Sequence, residues 1–314
     1  MSQLQSDQGA GGAKSPAKPR RWVTVVLWVL AVLLMLTSAV YQRLTGPTYP
    51  LRGQLTLNGQ SAGYKLLRSE YTDTSARIEV PDPSGSATGV LYYKRYKTDD
   101  NYTPVQLQRE HVKPVMRDTG PDLLWAELPA QPPAGKLEYY LELNTAQGSV
   151  HVPDTGQSVV IRYKGRTPMP VLIAHIFFMF FAVLWGIRTL LEVLFKRSGV
   201  RWLSWTTLIL LTVGGMILGP TVQHYSFGEA WTGVPFGWDL TDNKTLLMWL
   251  GWVAAMFFIG WGRRPLTARG RWAALLAALL MVGMYVIPHS MYGSELDYSK
   301  VDEGVDPAEA ITQG

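Results

Sequence analysis

The chain has 314 residues, 47% of them hydrophobic, no cysteine and a formal charge of only +5. Lack of cysteine excludes disulfides, thiolate metal sites, iron–sulfur clusters and Cys-linked haem. The modest charge is segregated by segment, unlike the basic stripe of a nucleic-acid binder, so no nucleic-acid partner is expected.

The apolar residues gather in five blocks of about 17–27 residues. That is close to the ~20 residues a helix needs to cross a ~30 Å hydrocarbon core, so the chain reads as a membrane protein. Residues 1–21, rich in Gly, Ser, Pro and Lys, form a basic tail with the composition of a disordered segment. Residues 22–42 form the first apolar block. It is long for a signal peptide and TSAVYQ is a poor cleavage site, so an uncleaved signal anchor is expected.

Residues 43–168 alternate apolar and polar positions in short runs such as ARIEV, TGVLYYKRYK, LLWAELPAQPPAG and KLEYYLELN, with Pro/Gly breaks between them. This period of two, with frequent turns, predicts an all-β sandwich, and the alternation is expected to bury Trp125. The series TGVLYYKRYKTDDNYTPVQLQ and LLWAELPAQPPAGKLEYYLEL resembles fibronectin type III and related immunoglobulin-like sandwiches. The resemblance implies architecture and no activity.

Residues 169–288 hold four further blocks, at 169–195, 202–219, 246–261 and 272–287, expected as a four-helix transmembrane bundle. Short basic loops join blocks two to three (Lys196, Arg197, Arg201) and four to five (Arg263, Arg264, Arg269, Arg271). With the basic N-terminus, they place that side in the cytoplasm by the positive-inside rule. The sandwich, the 219–245 loop and the acidic 289–314 tail then lie on the other side, periplasmic for a bacterial inner-membrane protein. Arg188 and Glu192, four residues apart, should pair and snorkel to the cytoplasmic surface.

The 219–245 loop is long, aromatic and punctuated by glycine and proline, and should fold back as a cap. Pro220 should end the third span. Thr241, Asp242 or Asn243 is expected to N-cap the fourth, with Asp239 holding the loop through backbone N–H groups. Trp231 and Trp238 suit an interfacial belt, and Gly215 and Gly219 a close helix contact.

This topology brings His175, His224 and His289 to one membrane face, with Glu229, Asp239 or Met291 as further donors, a set suited to haem or copper. Against it, a lone His175 within a span is equally served by a neighbouring helix, and His224 and His289 by the interface. Trp231 and Gly237-Trp238-Asp239 loosely resemble the tryptophan-rich haem-handling loops of cytochrome c maturation proteins. WTGVPFGWDLTDNKT is similar to a segment of bacterial polytopic membrane proteins of unassigned activity, as is the chain as a whole.

No Walker loop, HExxH, Ser-His-Asp order or dinucleotide fingerprint is present. Whether the protein is an enzyme stays open. The leading expectation is a non-enzymatic accessory or assembly protein without cofactor, set in the lipid bilayer, whose sandwich and loop engage a membrane or periplasmic protein. Haem or copper handling through the histidines is the alternative.

Overall fold

The computed structural model describes residues 21–111, 121–262, 265–288 and 293–312. The first element is α1 (Arg21–Thr45), the expected anchor helix. Eleven strands follow: β1 (Leu51–Leu57), β2 (Gln60–Leu66), β3 (Ser69–Tyr71), β4 (Ala76–Asp82), β5 (Thr88–Arg95), β6 (Thr103–Gln106), β7 (Gln108–Glu110), β8 (Asp122–Leu128), β9 (Lys136–Thr145), β10 (Gly148–Val152) and β11 (Val159–Lys164). Then come α2 (Met169–Leu194), α3 (Val200–Leu211), a π-helical segment (Thr212–Leu218), α4 (Gly219–Phe227), α5 (Leu240–Ile259) and α6 (Ala268–Val286). The chain closes with β12 (Glu295–Leu296), α7 (Tyr298–Asp302) and β13 (Ile311–Thr312).

The strand alternation is literal. In β9, Leu137, Tyr139, Leu141 and Leu143 are buried and the residues between them are not. A six-stranded sheet runs β3-β11-β9-β5-β6, with β10 also paired to β9, and β4-β8-β7 form a second sheet. β1 and β2 form a hairpin around Asn58 and Gly59, both at positive φ as a tight two-residue turn requires. All three share one apolar core, built from residues such as Leu57, Ile78, Leu124, Leu141 and Ile161. Trp125 departs from expectation. Its neighbours Leu124 and Ala126 face inward, so the strand period turns Trp125 to the opposite face, half-buried under the Arg77 guanidinium 4.3 Å from its ring.

Among the described residues, four helical stretches are long and apolar enough to cross a membrane: α1, α2, the α3–π–α4 rod Val200–Phe227, and α6. Sequence blocks suggested five. α5 is 20 residues long and packs along α6 and α3, but it starts six residues earlier than the apolar block and so takes in Asp242, Asn243 and Lys244. The third rod likewise outruns its expected end at residue 219. Pro220 lacks an N–H and crowds the carbonyl four residues back. The helix accommodates it by widening into the π turn of Thr212–Leu218 and continues to Phe227. Gly214 permits the close approach there, because a Cβ would lie 2.9 Å from the Phe178 Cβ.

The helices pack closely at the end away from the sheets. Leu27, Ala31 and Met35 of α1 are buried, and Trp28 stands edge-on to Trp185 of α2 at 4.9 Å. Arg188 and Glu192 pair at 2.6 Å, but they do not snorkel: their side chains are 3% and 6% exposed. Glu192 also accepts from the Gly199 N–H, and Arg188 lies over the Trp28 ring, so neighbours replace the water that snorkelling would have reached. At the sheet-proximal end the packing thins, and α2 is covered on the side of the π segment. Every buried residue of α2 lies at Met179 or beyond, and none lies in the ten apolar-rich residues before it.

Candidate functional site at the helix–sheet junction

Two structures meet where the helices join the sheets: a polar frame and a cavity. The frame starts at Asp239, which is the N-cap of α5. Its Oδ1 accepts from the Thr241 N–H at 2.7 Å and its Oδ2 from the Ser294 N–H at 3.1 Å. Asp242 does not cap the helix, as had been expected of it or its neighbours. It sits within the first turn and holds the loop, accepting from the Thr232 N–H at 2.6 Å and the Gln223 Nε2 at 3.0 Å. The irregular loop is therefore short, 228–239, because α4 and α5 absorb both ends of the 219–245 stretch.

Ser294 links this loop to the sheets, since its carbonyl accepts from Arg162 Nη2 of β11 at 2.7 Å. The Arg162 guanidinium lies 3.9 Å over the Phe227 ring at the end of α4. Burial pushes it down to about 10, and the charges of Asp239 and Glu295 offset part of that effect. The Gly165 N–H donates to the Ser226 carbonyl at 2.8 Å, and a Cβ at Gly165 would collide with the Tyr225 carbonyl oxygen.

The acidic tail completes the frame. β12 and β13 pair, and Leu296, Tyr298, Ala310 and Ile311 share a small core with Ala134. Glu295 bridges Lys97 and Lys136 at 2.7 and 2.6 Å, and Asp302 pairs with Arg95 at 2.7 Å. Burial alone would raise the Glu295 carboxyl, but the hydrogen bonds from Lys136 and Lys97 outweigh it and hold the group below its ordinary range.

Beside the frame lies a cavity of about 730 Å³, walled by the ends of α1, α2 and α4 and roofed by β11. Its composition is divided. Arg43, Arg162, Lys164 and Arg166 stand on the sheet side, while Leu172, Ile176, Met179 and Phe180 of α2 line the depth. No Asp or Glu is among its described lining residues. Arg166 is matched by Asp73 at 2.6 Å, but among the described residues no ion pair involves Arg43, Arg162 or Lys164. The Arg162 Nε is buried and has no hydrogen-bond partner among the described residues. Burial, and then the charges of Arg43 and Arg162, push the Lys164 ammonium below its ordinary value. The Glu70 charge offsets part of that effect on Lys164. A cluster with more cations than neighbouring acids, set over an apolar trough, is suited to hold an anion that carries an apolar body.

The histidines occupy different settings. His175 lines the cavity and donates from Nδ1 to the Gly214 carbonyl of the π segment at 2.9 Å, since a carbonyl only accepts. His224 is exposed on α4 beside Tyr225, and His289, with Met291, lies outside the described residues. Among the described residues, no three His, Cys, Asp or Glu side chains form a group able to hold a metal ion. Trp231 donates to the Val234 carbonyl at 3.1 Å, Glu229 is half-buried, and Trp238 stands 76% exposed.

Sequence reasoning missed Arg43, Arg162 and Lys164, although a signal was present. Arg43 directly follows the first apolar block, and Lys164 and Arg166 directly precede the second. Basic residues at those ends run against the positive-inside pattern that orients the rest of the chain. Comparison of the chain with protein-family models gives no match, and comparison with curated proteins gives none either, so a function must be argued from this junction.

Proposed function

We propose that the protein is a five-span bacterial inner-membrane protein that acts without catalysis, as an accessory protein binding an anion-bearing amphiphile where its β-sandwich meets the outer leaflet. In this reading α5 is the fifth span, the N-terminus is cytoplasmic, and the sheets and acidic tail are periplasmic. The shared core of the two larger sheets supports a sandwich. The parallel pairing of β3 with β11 distinguishes it from the antiparallel fibronectin type. A ligand of this chemistry, in place of the protein partner expected from sequence, is favoured by one observation: Arg43 and Lys164, with no ion pair among the described residues, line one apolar trough that has no Asp or Glu among its described lining residues.

The carboxylates of the frame, Asp239 and Asp242, are engaged in holding backbone N–H groups, a structural and not a catalytic use. Dodecyl phosphate added to protein purified in a neutral maltoside detergent should raise its melting temperature. At a ligand concentration of 100 Kd the stabilisation is about 2.7 kcal/mol. The shift should be lost in the Arg43→Gln/Lys164→Gln double variant. Equal shifts in both proteins, or none in either, would refute the reading. Reporter fusions after Lys97 and Lys300 should read as periplasmic and those at Ser198 and Thr267 as cytoplasmic.

A further inference from the structure

Of the features at the junction, the bare end of α2 says most about the ligand. Residues 169–178 cover ten positions, about 15 Å of helix, which is about half the thickness of a hydrocarbon core. They include Val171, Leu172, Ile173, Ile176, Phe177 and Phe178, yet none is buried by the protein. α1 shows the same change at the same level. Its buried stripe runs Leu27, Ala31, Met35, and one turn further on Ala39, Gln42 and Arg43 line the cavity. The Gln42 Nε2 donates to the Tyr285 carbonyl of α6 at 2.6 Å, so α1 is held aside from α2. The space is therefore built into the packing.

We infer that the occupant is a bilayer phospholipid with an anionic headgroup, its phosphate at Arg43 and Lys164 and one acyl chain along residues 169–178 of α2. This rests on the anion-binding reading above and names its ligand. The apolar flank of α2 at Ile173 and Ile176 is exposed, so the trough is continuous with the lipid-facing surface and the chain enters sideways without leaving the membrane. The headgroup preference follows from the charges around it. A zwitterionic lipid would bring its ammonium beside Arg43 and Lys164, with no described acid in the lining of this cavity to receive it. Glu70 accepts the Tyr71 N–H at 2.9 Å and lines an adjoining recess shared with Arg43 and Lys164, so its charge reaches Lys164 from outside this cavity. A headgroup with neutral hydroxyls avoids that repulsion and meets Thr48 and Ser69 at the rim.

The test reconstitutes the full chain in vesicles of equimolar phosphatidylcholine and phosphatidylglycerol. After re-extraction in maltoside detergent, retained lipids are counted by native mass spectrometry. A parallel arm measures the thermal shift produced by glycerol phosphate, the headgroup without chains. Wild type should retain phosphatidylglycerol enriched at least about tenfold over phosphatidylcholine, given attraction of about that order from several basic residues. Arg43→Gln/Lys164→Gln should lose the enrichment and the glycerol phosphate shift. Ile176→Trp, or Phe180→Trp as a second trough-filling variant, should lose the retained lipid and keep that shift. Both lipids retained at the bulk ratio would overturn the inference. So would a glycerol phosphate shift with no retained lipid, which assigns the site to a soluble anion and leaves the anion-binding reading standing. If glycerol phosphate, dodecyl phosphate and phosphatidylglycerol all fail to bind, both fall.

Discussion

The two ends of the helical part are built on opposite principles. Away from the sheets, α1 and α2 interlock through Leu27, Ala31, Trp28 and Trp185, and even an ion pair is sealed inside. Next to the sheets, the same two helices leave residues 169–178 of α2 without a fully buried side chain and surround a cavity lined by Arg43 and Lys164. One chain uses nearly the same apolar alphabet at both ends, so hydrophobicity does not make the difference. What differs is the polar contacts: at the open end Gln42 of α1 donates to the Tyr285 carbonyl of α6. A close-packed end gives stability, and an open end held in shape by a frame gives a site.

The comparison breaks most sharply at Glu192. Glu192→Gln leaves the Arg188 charge buried and should destabilise the protein by about 3–5 kcal/mol in detergent unfolding. A loss below about 1 kcal/mol would show that the pair is hydrated. Next comes a matched pair of truncations. Leu27→Ala, at the packed end, should cost about 2–4 kcal/mol. Ile173→Ala, 60% exposed at the open end, should stay within about 0.5 kcal/mol. Equal costs would mean that the two ends are packed alike.

Arg162→Gln should cost about 1.5–3 kcal/mol by removing the charged bond to the Ser294 carbonyl. It should also weaken dodecyl phosphate binding, which a purely structural arginine would not affect. The smallest effect is an acid one. Glu295 and Asp302 both sit below their ordinary carboxyl values, so the tail's ion pairs hold fully above those values and are lost as pH falls through the lower, folded ones. Hydrogen exchange of the amides in 294–301, corrected for intrinsic rate, should therefore rise between about pH 5 and pH 3. Flat protection over that range would show that Leu296 and Tyr298 alone hold the tail.

Much of this fold is legible in the sequence, because it is carried by periodicity. The period of two located most of the strands, and the long apolar blocks located α1 and α2 to within a few residues. The failures have particular causes. Alternation gives two faces but does not say which is inside, and Trp125 went to the wrong one. Pro220 is an ordinary helix stop unless a π turn accommodates it, and that choice depends on the neighbouring α2 backbone at Gly214. The polar start of α5 hid its first turn, because Asp242 is buried against the loop at Thr232 and Lys244 reaches the Ile287 carbonyl at the end of α6. The junction cavity was invisible for a related reason: Arg43 lies on α1 and Arg162 and Lys164 on β11, more than a hundred residues apart, and they meet only in the fold.

The most direct measurement of the central claim is a crystal structure of the full chain grown from a lipidic mesophase doped with phosphatidylglycerol. The account predicts elongated density along residues 169–178 of α2, ending in a phosphate within hydrogen-bond reach of Arg43 and Lys164. A trough closed by α1 and α2 packing against each other along that length would contradict it.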